Sequence, residues 1–352
     1  MANFSNSSDN FFTCSVNWGI LEISAACVYL LTAIIALTGN AVSAWVLAAG
    51  RKCKTELNKY LLNLAAADIS LSVFCIPFTY TSIIFKCWIF GDFSCPSILF
   101  LQCLGIAVSV FTNVAIGIDR LIAVITPMKT RLTTTRSNFI LILIWFASIL
   151  LALPQLVVAR AMRIYPNNSD SICYEFWPNH YYRNAYTITI SLTTYVVPLT
   201  ALSIAYSVIS FTLYRRRLPG VAVRSRDELQ LTSRKKVIKM LVAVVIAFAV
   251  CWAPLNVFNV LNHLWPNAIS PEGEYFISYF SIAHFIAMFH SAINPFIYSF
   301  LSEPFRKDLK NLITGHCYKK TLRNSNKKFV YRACSRQTEQ EAHELENYEE
   351  DM

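Results

Sequence analysis

The sequence predicts an all-α integral membrane protein, a bundle of seven membrane-crossing helices followed by a short amphipathic eighth. Three observations lead there. Hydrophobic residues make up 55% of the 352, with a mean hydropathy of +0.42, too apolar for a water-soluble chain of this size. Seven stretches reach the roughly 20 apolar residues that a spanning helix needs. The last of them closes on Asn294-Pro295-Phe296-Ile297-Tyr298, just before a basic amphipathic run from Phe305 to Lys310.

The stretches cover 21–49, 57–85, 94–126, 138–160, 185–214, 237–262 and 275–301. The first carries Gly39-Asn40, the second a mid-helix Asp68, and the third runs from Cys95 to Asp119-Arg120. Trp145 lies in the fourth, Pro198 and Tyr206 in the fifth, and Cys251-Trp252-Ala253-Pro254 in the sixth. In the seventh, Pro295 costs a helix hydrogen bond and kinks the chain. In lipid the freed backbone groups need local partners, which Asn294 above and Tyr298 below are placed to supply. Short connections make one bundle over 21–302, preceded by a tail over 1–20. A tail helix over 303–315 and a charged segment over 316–352 follow. No inverted internal repeat of the transporter kind is present.

Of the 31 Lys and Arg, only Lys86, Arg160, Arg163 and Arg183 fall in the N-terminal tail or the even-numbered loops; the other 27 lie on the opposite side. Basic residues favour the cytoplasmic side, so the N-terminus is expected outside. The glycosylation acceptors Asn3, Asn6 and Asn167 fit that orientation. No cleavable leader is expected, because the first apolar run starts near Ile20 and is long enough to span. The net charge of +10 reflects topology and not nucleic-acid binding. The tail turns from a basic stretch, Lys319 to Arg336, to an acidic one, Glu339 to Asp351, and is expected to be solvated and disordered. Cys317 sits where a palmitoylated cysteine belongs, just past an amphipathic helix.

Eleven cysteines do not form a disulfide framework, since most lie in membrane segments or on the cytoplasmic side. Cys95 and Cys173 are the exceptions and are expected to bridge the mouth of the third helix to the second outer loop. Cys14 and Cys87 are also outside, and either pair with each other or stay free. An ionisable group in lipid costs about 2.5–3.5 kcal/mol on insertion scales, so Asp68 reads as functional or as a carboxylate bonded between helices, with Asn40 and Asn294 as neighbours. Along the third helix Cys95, Gln102 and Ser109 are spaced by seven, and Arg120 returns to the same face within about 20°. One inward seam therefore holds a disulfide, an amide, a hydroxyl and a cation.

Taken with these residues, the chain resembles the rhodopsin-like G-protein-coupled receptors over nearly its whole length. Gln102, Cys75-Ile76-Pro77-Phe78 and His284 to Met288 look most like peptide receptors of the neuropeptide Y, RFamide and tachykinin-like branch. The resemblance implies a plasma-membrane receptor for an extracellular neuropeptide, with a heterotrimeric G protein, arrestin and receptor kinases as partners. It implies a ligand site of Gln102, Glu175, Trp252, Asn256, Asn259 and His284. It implies a switch of Trp252 above Pro198, Val110 and Phe248, with Tyr206 and Tyr298 reaching toward Arg120 of the Asp119-Arg120 pair. Sodium is the one candidate cofactor, on Asp68 and Ser109, and His290 departs from the Asn often found beside that site. Asp119-Arg120-Leu121 replaces the usual triplet, and Arg234-Lys235-Lys236 leaves no acid at the base of the sixth helix to clamp Arg120.

Gln102 in place of an aspartate suits hydrogen bonding to an amidated peptide terminus more than pairing with an amine. The outer side carries Asp9, Glu22, Asp92, Asp170, Glu175, Glu272 and Glu274 against four basic residues, a field that favours cationic peptides. A receptor for a small molecule is the alternative within the class. A transporter or channel lined by Asp68 and His290 is the alternative outside it. No cluster has catalytic or zinc spacing, so an enzyme is not expected.

Overall fold

The structure is a computed structural model that describes residues 20–50, 56–125, 134–163, 171–215, 224–264, 276–314, 318–324 and 327–333. Its helices are α1 (Ile20–Ala49), α2 (Glu56–Phe74), α3 (Ile76–Phe85), α4 (Ser94–Ile125) and α5 (Thr134–Val158), then α6 (His180–Ser191), α7 (Val197–Arg215), α8 (Arg224–Leu264), α9 (Phe276–Leu301) and α10 (Glu303–Ile313). Seven spans are long and apolar enough to cross a membrane, at Ile23–Ala49, Leu57–Phe85, Ser94–Ile125, Thr135–Val158, His180–Thr212, Ile238–Asn262 and Ile277–Ile297. The end carrying the Cys95–Cys173 bridge is termed the mouth and the other end the base.

Two spans are interrupted helices, and proline explains both. The second is α2 and α3 joined at Cys75, which keeps Cys75 N–H to Leu71 O at 2.9 Å and Thr79 N–H to Cys75 O at 3.0 Å. Pro77 at the start of α3 has no N–H to continue the ladder. α3 stops at Lys86, whose φ of 54° is left-handed. The fifth span passes from α6 to α7 through a π turn, Leu192–Val196, in which Val197 N–H reaches Leu192 O. Pro198 follows at once, and a widened turn is one way to accommodate a missing donor.

The bundle closes where small residues let helices approach. A Cβ on Gly39 would lie 2.9 Å from Cγ of Pro295, so the first and seventh spans meet almost backbone to backbone. Leu71 packs into the place of a Gly105 side chain at 3.0 Å, joining the second and third spans. A buried apolar cluster fills the basal half around Tyr60, Leu64, Ile116, Tyr206, Ile209 and Leu241. A second fills the mouth half around Tyr29, Leu71, Val110, Phe248, Trp252 and Met288.

α10 is the amphipathic tail helix read from the sequence. Ser302 caps it by accepting from Phe305 N–H at 3.3 Å, as a serine N-cap should. Phe305, Leu309 and Leu312 join the basal core while Arg306 and Lys307 face out.

Two short sheets are additions to the reading from sequence. β1 (Ala159–Arg163) pairs antiparallel with β2 (Ser171–Glu175) across the mouth, Ala161 opposite Cys173. β3 (Tyr318–Asn324) pairs with β4 (Lys327–Ala333) in the stretch assigned from its charges to a solvated tail.

Candidate functional site

The third span sets the site out as a ladder. Cys95 is fully buried and bonded to Cys173. Gln102 is half-buried with a buried carbonyl oxygen, Ser109 is buried, and Arg120 is half-buried beside Asp119. The spacing of seven, seven and eleven residues thus turns all four toward the bundle.

Below the disulfide lies a cavity of about 210 Å³ between the third, fourth, fifth and sixth spans and β2, with Gln102, Gln155, Glu175, Tyr186, Asn256 and Asn259 on its walls. Its polar groups are mostly held. Gln155 Nε2 donates to one Glu175 oxygen at 3.0 Å and Trp177 Nε1 to the other at 2.7 Å. Tyr186 donates to Leu151 O at 3.2 Å and stacks obliquely on Trp177 with centroids 5.0 Å apart. Asn256 Nδ2 donates to Trp252 O at 3.0 Å, fixing the amide one turn above the Trp. In contrast, Gln102 Oε1 and Gln155 Oε1 are buried and make no hydrogen bond among the described residues. A buried carbonyl left unpaired costs free energy that an incoming donor recovers.

Four of the six expected ligand residues therefore gather on one cavity: Gln102, Glu175, Asn256 and Asn259. The other two stand apart from its walls. His284 is buried between the first, second and seventh spans, stacked near Tyr29 at 6.2 Å, with Nε2 3.7 Å from Cys75 Sγ. Trp252 lies deeper, its ring 6.2 Å from Phe248 and its N–H buried without a partner among the described residues. Gln155, Tyr186 and Trp177 were not singled out from sequence. Gln155 alone left a signal, an amide directly after Pro154 in an otherwise apolar span.

Beneath Trp252 is a packed layer. Phe248 touches Trp252, Tyr195 at 6.0 Å, and the edge of His290 at 5.7 Å. Val110 and Phe248 share a crevice with Asn113, Leu202 and Val245 that is too narrow for a water molecule. Pro198 is buried one turn above Leu202.

Asp68 is the centre of the bundle. It is fully buried, accepting from Ser291 Oγ at 3.1 Å and from Asn294 Nδ2 at 2.7 Å. Asn40 does not bond Asp68; its Nδ2 bridges Ala36 O at 2.9 Å and Ser291 O at 2.8 Å. Ser291 therefore ties both the first and second spans to the seventh. Asn63 adds a link of the same kind, donating to Thr112 at 2.8 Å and accepting from Trp145 at 3.0 Å.

At the base Arg120 pairs with Asp119. Tyr206 is buried, its hydroxyl 3.9 Å from the Cβ position of Gly117, one turn above Arg120. Asn294 and Pro295 are buried, whereas the side chains of Tyr298 and of Arg234, Lys235 and Lys236 lie outside the described set. So do Asn3, Asn6, Cys14, Asn167 and Cys317.

This arrangement matches one family of proteins. Residues 39–298 fit the profile of the seven-transmembrane receptors of the rhodopsin family. The substance-P receptor of Aquarana catesbeiana is 30% identical over 299 residues, 84% of this chain and 71% of its own. The RYamide receptor of Drosophila melanogaster is 32% identical over 290 residues, 81% of this chain and 62% of its own. The tachykinin-like peptides receptor 99D of the same fly is 30% identical over 284 residues, 79% and 54% of the two chains. With seven spans, a bridged mouth, a buried Asp68 tied to the NPFIY helix and an Asp119–Arg120 pair at the base, this chain belongs to the rhodopsin family of seven-transmembrane receptors.

Proposed function

We propose that the chain is a receptor for an extracellular peptide with an amidated C-terminus, and that peptide binding activates a heterotrimeric G protein at the Asp119–Arg120 end. The mouth faces outside, as the distribution of basic residues requires. Asn3, Asn6 and Asn167 then carry glycans, Cys317 a palmitoyl chain, and the phosphorylated tail recruits arrestin through receptor kinases.

The observation that carries this reading is the unpaired Gln102 Oε1 on a cavity that also holds Glu175. A terminal carboxamide brings two N–H donors, whereas a free carboxylate brings acceptors only. The Gln102 carbonyl oxygen therefore rewards the amide and opposes the acid. Glu175 has both oxygens oriented by Gln155 and Trp177, and a carboxylate has lone pairs left for a bidentate guanidinium. A basic residue near the peptide terminus fits there. The cavity of about 210 Å³ is below the roughly 300–1,000 Å³ of sites that bury a whole small ligand. It suits a chain end, with the rest of the peptide outside. The name of the tachykinin-like peptides receptor 99D specifies peptides, and those of the other two relatives specify substance P and RYamide.

Sodium is a reasonable companion at the bundle centre. Asp68 offers a carboxylate and Ser109 a buried hydroxyl, the pair expected from the sequence, and the buried amide oxygens of Asn40 and Asn294 have no hydrogen-bond partner among the described residues. Hard oxygen donors of this kind suit a small monovalent cation, which would steady the packed bundle by neutralising Asp68.

The test compares amidated and free-acid forms of an active peptide, found by screening RFamide and RYamide types, on the native chain and on Gln102→Ala. Losing a hydrogen bond that leaves a polar group unpaired costs about 1–3 kcal/mol, or roughly 5- to 150-fold in affinity. The native chain should prefer the amide by such a factor and the variant should not. An unchanged preference in Gln102→Ala would falsify the assignment.

A further inference from the structure

A cluster of soft donors lies apart from the Gln102 cavity, where the second and seventh spans meet. Cys75, at the joint between α2 and α3, donates its thiol proton to Met288 Sδ at 3.3 Å, and its sulfur lies 3.7 Å from His284 Nε2. His284 and Met288 are four residues apart on α9, so they share a face one turn apart. Cys75 is a free thiol, and none of the three has more than 1% of its surface exposed. We propose that Cys75, His284 and Met288 form a binding site for one soft monovalent metal ion, copper(I).

The distances fit a three-coordinate ion. Bonds of a first-row cation run about 2.3 Å to sulfur and about 2.0 Å to imidazole nitrogen. With roughly 120° between those bonds, sulfur and nitrogen stand about 3.7 Å apart, which is the spacing of Cys75 and His284. Two sulfurs on one ion stand about 4.0 Å apart at the same angle. The thiol proton holds Cys75 and Met288 closer than that, at 3.3 Å. Metal binding removes this proton, and the unbranched Met288 side chain is pliant enough to draw back by the remaining ~0.7 Å.

The cluster is also short of protons. A thiol has one, and here it has two neighbours. While it is given to Met288, His284 Nε2 either stays unpaired or donates to sulfur, a weak acceptor. Nδ1 of the same ring is buried without a partner among the described residues. No hydrogen bond on that side fixes the tautomer, so Nε2 is free to be the lone-pair nitrogen that a metal requires. One cation satisfies all three groups together.

Ligand chemistry and charge select the ion. Thiolate and thioether favour copper(I) over hard cations. No three side chains drawn from His, Cys, Asp and Glu gather among the described residues, so the thioether has to complete the set. Cys75 S–H loses its proton to water and a sulfur–copper bond forms; the ion stays copper(I) and no electron moves. Thiolate and copper(I) sum to zero charge, whereas zinc(II) leaves a net positive charge in an apolar core, which is costly. Tyr80 and Phe280 are half-buried toward the mouth, stacked on Tyr29 at 4.3 Å and against His284 at 5.7 Å, and rotation of these rings opens the way in. The occupied site ties the interrupted second span to the seventh.

The test titrates the purified full chain with copper(I), without peptide and without oxygen, against bicinchoninate, whose colour reports the copper it holds. The native chain should retain one equivalent more than Met288→Leu or His284→Phe, which leave every thiol in place. Each variant should weaken the site by more than the roughly 10- to 100-fold that losing a group supporting a ligand costs. Cys27→Ser removes a different free thiol and should keep the equivalent. X-ray absorption of the native copper-loaded chain, which needs no variant, should show two sulfurs and one nitrogen. The native melting midpoint should rise with free copper(I), and those of the two variants should not. Equal copper in the native chain and both variants, a shell of sulfur alone, or a native midpoint that ignores copper overturns the site. Displacement of the copper by an equal concentration of zinc(II) overturns the choice of a monovalent ion.

Discussion

Replacing Asn113 with Leu should stabilise this receptor, the opposite of what most core substitutions do. Asn113 lies in the third span, 8% of its surface exposed, against Val110, Leu202, Val245 and Phe248. Its Nδ2 is buried without a hydrogen-bond partner among the described residues, and the crevice beside it has no room for water. An amide in that position carries a desolvation cost of about 1–3 kcal/mol. Leu has the same number of side-chain heavy atoms and the same branching, so it fills the site without a cavity or an overpacked contact. The full penalty is removed and the neighbours are all apolar.

Two readouts follow from that figure. The melting midpoint of the purified chain should rise, at roughly 2 °C per kcal/mol for a chain of this size, by about 2–6 °C. On the proposed mechanism, in which the third and sixth spans part on activation, ligand-free activation should fall, because the amide would gain water there and Leu takes that gain away. A shift of about 1–3 kcal/mol toward the packed state is roughly 5- to 150-fold in the equilibrium. Nucleotide-analogue loading of a heterotrimeric G protein without peptide measures it. Asn113→Ala serves as a control, since it removes the orphaned amide but leaves a hole and so gains less. An unchanged or lower midpoint in Asn113→Leu, with basal loading as in the native chain, refutes the reasoning.

Three further outcomes are expected. Gly39→Val should cost about 1–3 kcal/mol or more, because the new Cβ would sit 2.9 Å from Pro295 Cγ and force the first and seventh spans apart; a native melting midpoint would contradict that contact. Asn294→Leu removes the 2.7 Å donor to Asp68, and losing a hydrogen bond to a charged group in a buried site should lower stability by about 1.5–3 kcal/mol; restoration by the second substitution Asp68→Asn, which removes the charge, is the check on cause. Arg120→Ala should silence G-protein loading while leaving antagonist affinity within about twofold, since eighteen residues at 1.5 Å put it roughly 27 Å along the helix from Gln102; a large affinity loss would mean that the two ends are not separable.

The features legible in the sequence are those with a local rule. A carboxylate in an apolar segment needs partners, and Asp68 has them in Ser291 and Asn294. Residues seven apart on a helix share a face, and Cys95, Gln102 and Ser109 do. A basic amphipathic run after the last span marks a tail helix, and α10 forms there.

What escaped the reading depends on residues far apart in the chain. The clamp on Glu175 needs Gln155 from the fourth span and Trp177 from beyond β2, and nothing local couples them. The β1–β2 hairpin is set by pairing over the mouth as much as by strand propensity. His284 illustrates the same limit from the other side. Its position one helix face away from Gln102's cavity follows from how Tyr29, Tyr80 and Cys75 pack around it, and helical spacing within the seventh span does not contain that information. Pro198 is visible in the fifth span, but a proline permits a kink as readily as the π turn at Leu192–Val196.

The placement of the unpaired groups supports the proposed route by which a small binding energy would reach the base of the receptor. Trp252 Nε1, His290 Nε2 and Asn113 Nδ2 are all buried without partners among the described residues, and all belong to side chains that neighbour Phe248. Each holds back about 1–3 kcal/mol for as long as the ring stays in place. Together that is of the same order as the whole folding stability of an ordinary domain, roughly 5–15 kcal/mol. In the proposed switch, an arrangement in which the ring has moved and these groups meet water or each other would recover that cost. Cavity and layer are joined directly, because Asn256 on the cavity wall is bonded to Trp252 and Trp252 packs on Phe248. Coupling between distant sites is typically only about 1–3 kcal/mol. On the proposed site, one hydrogen bond made by a ligand at the level of Gln102 and Asn256 would supply that much, and release of the cost around Phe248 would add to it.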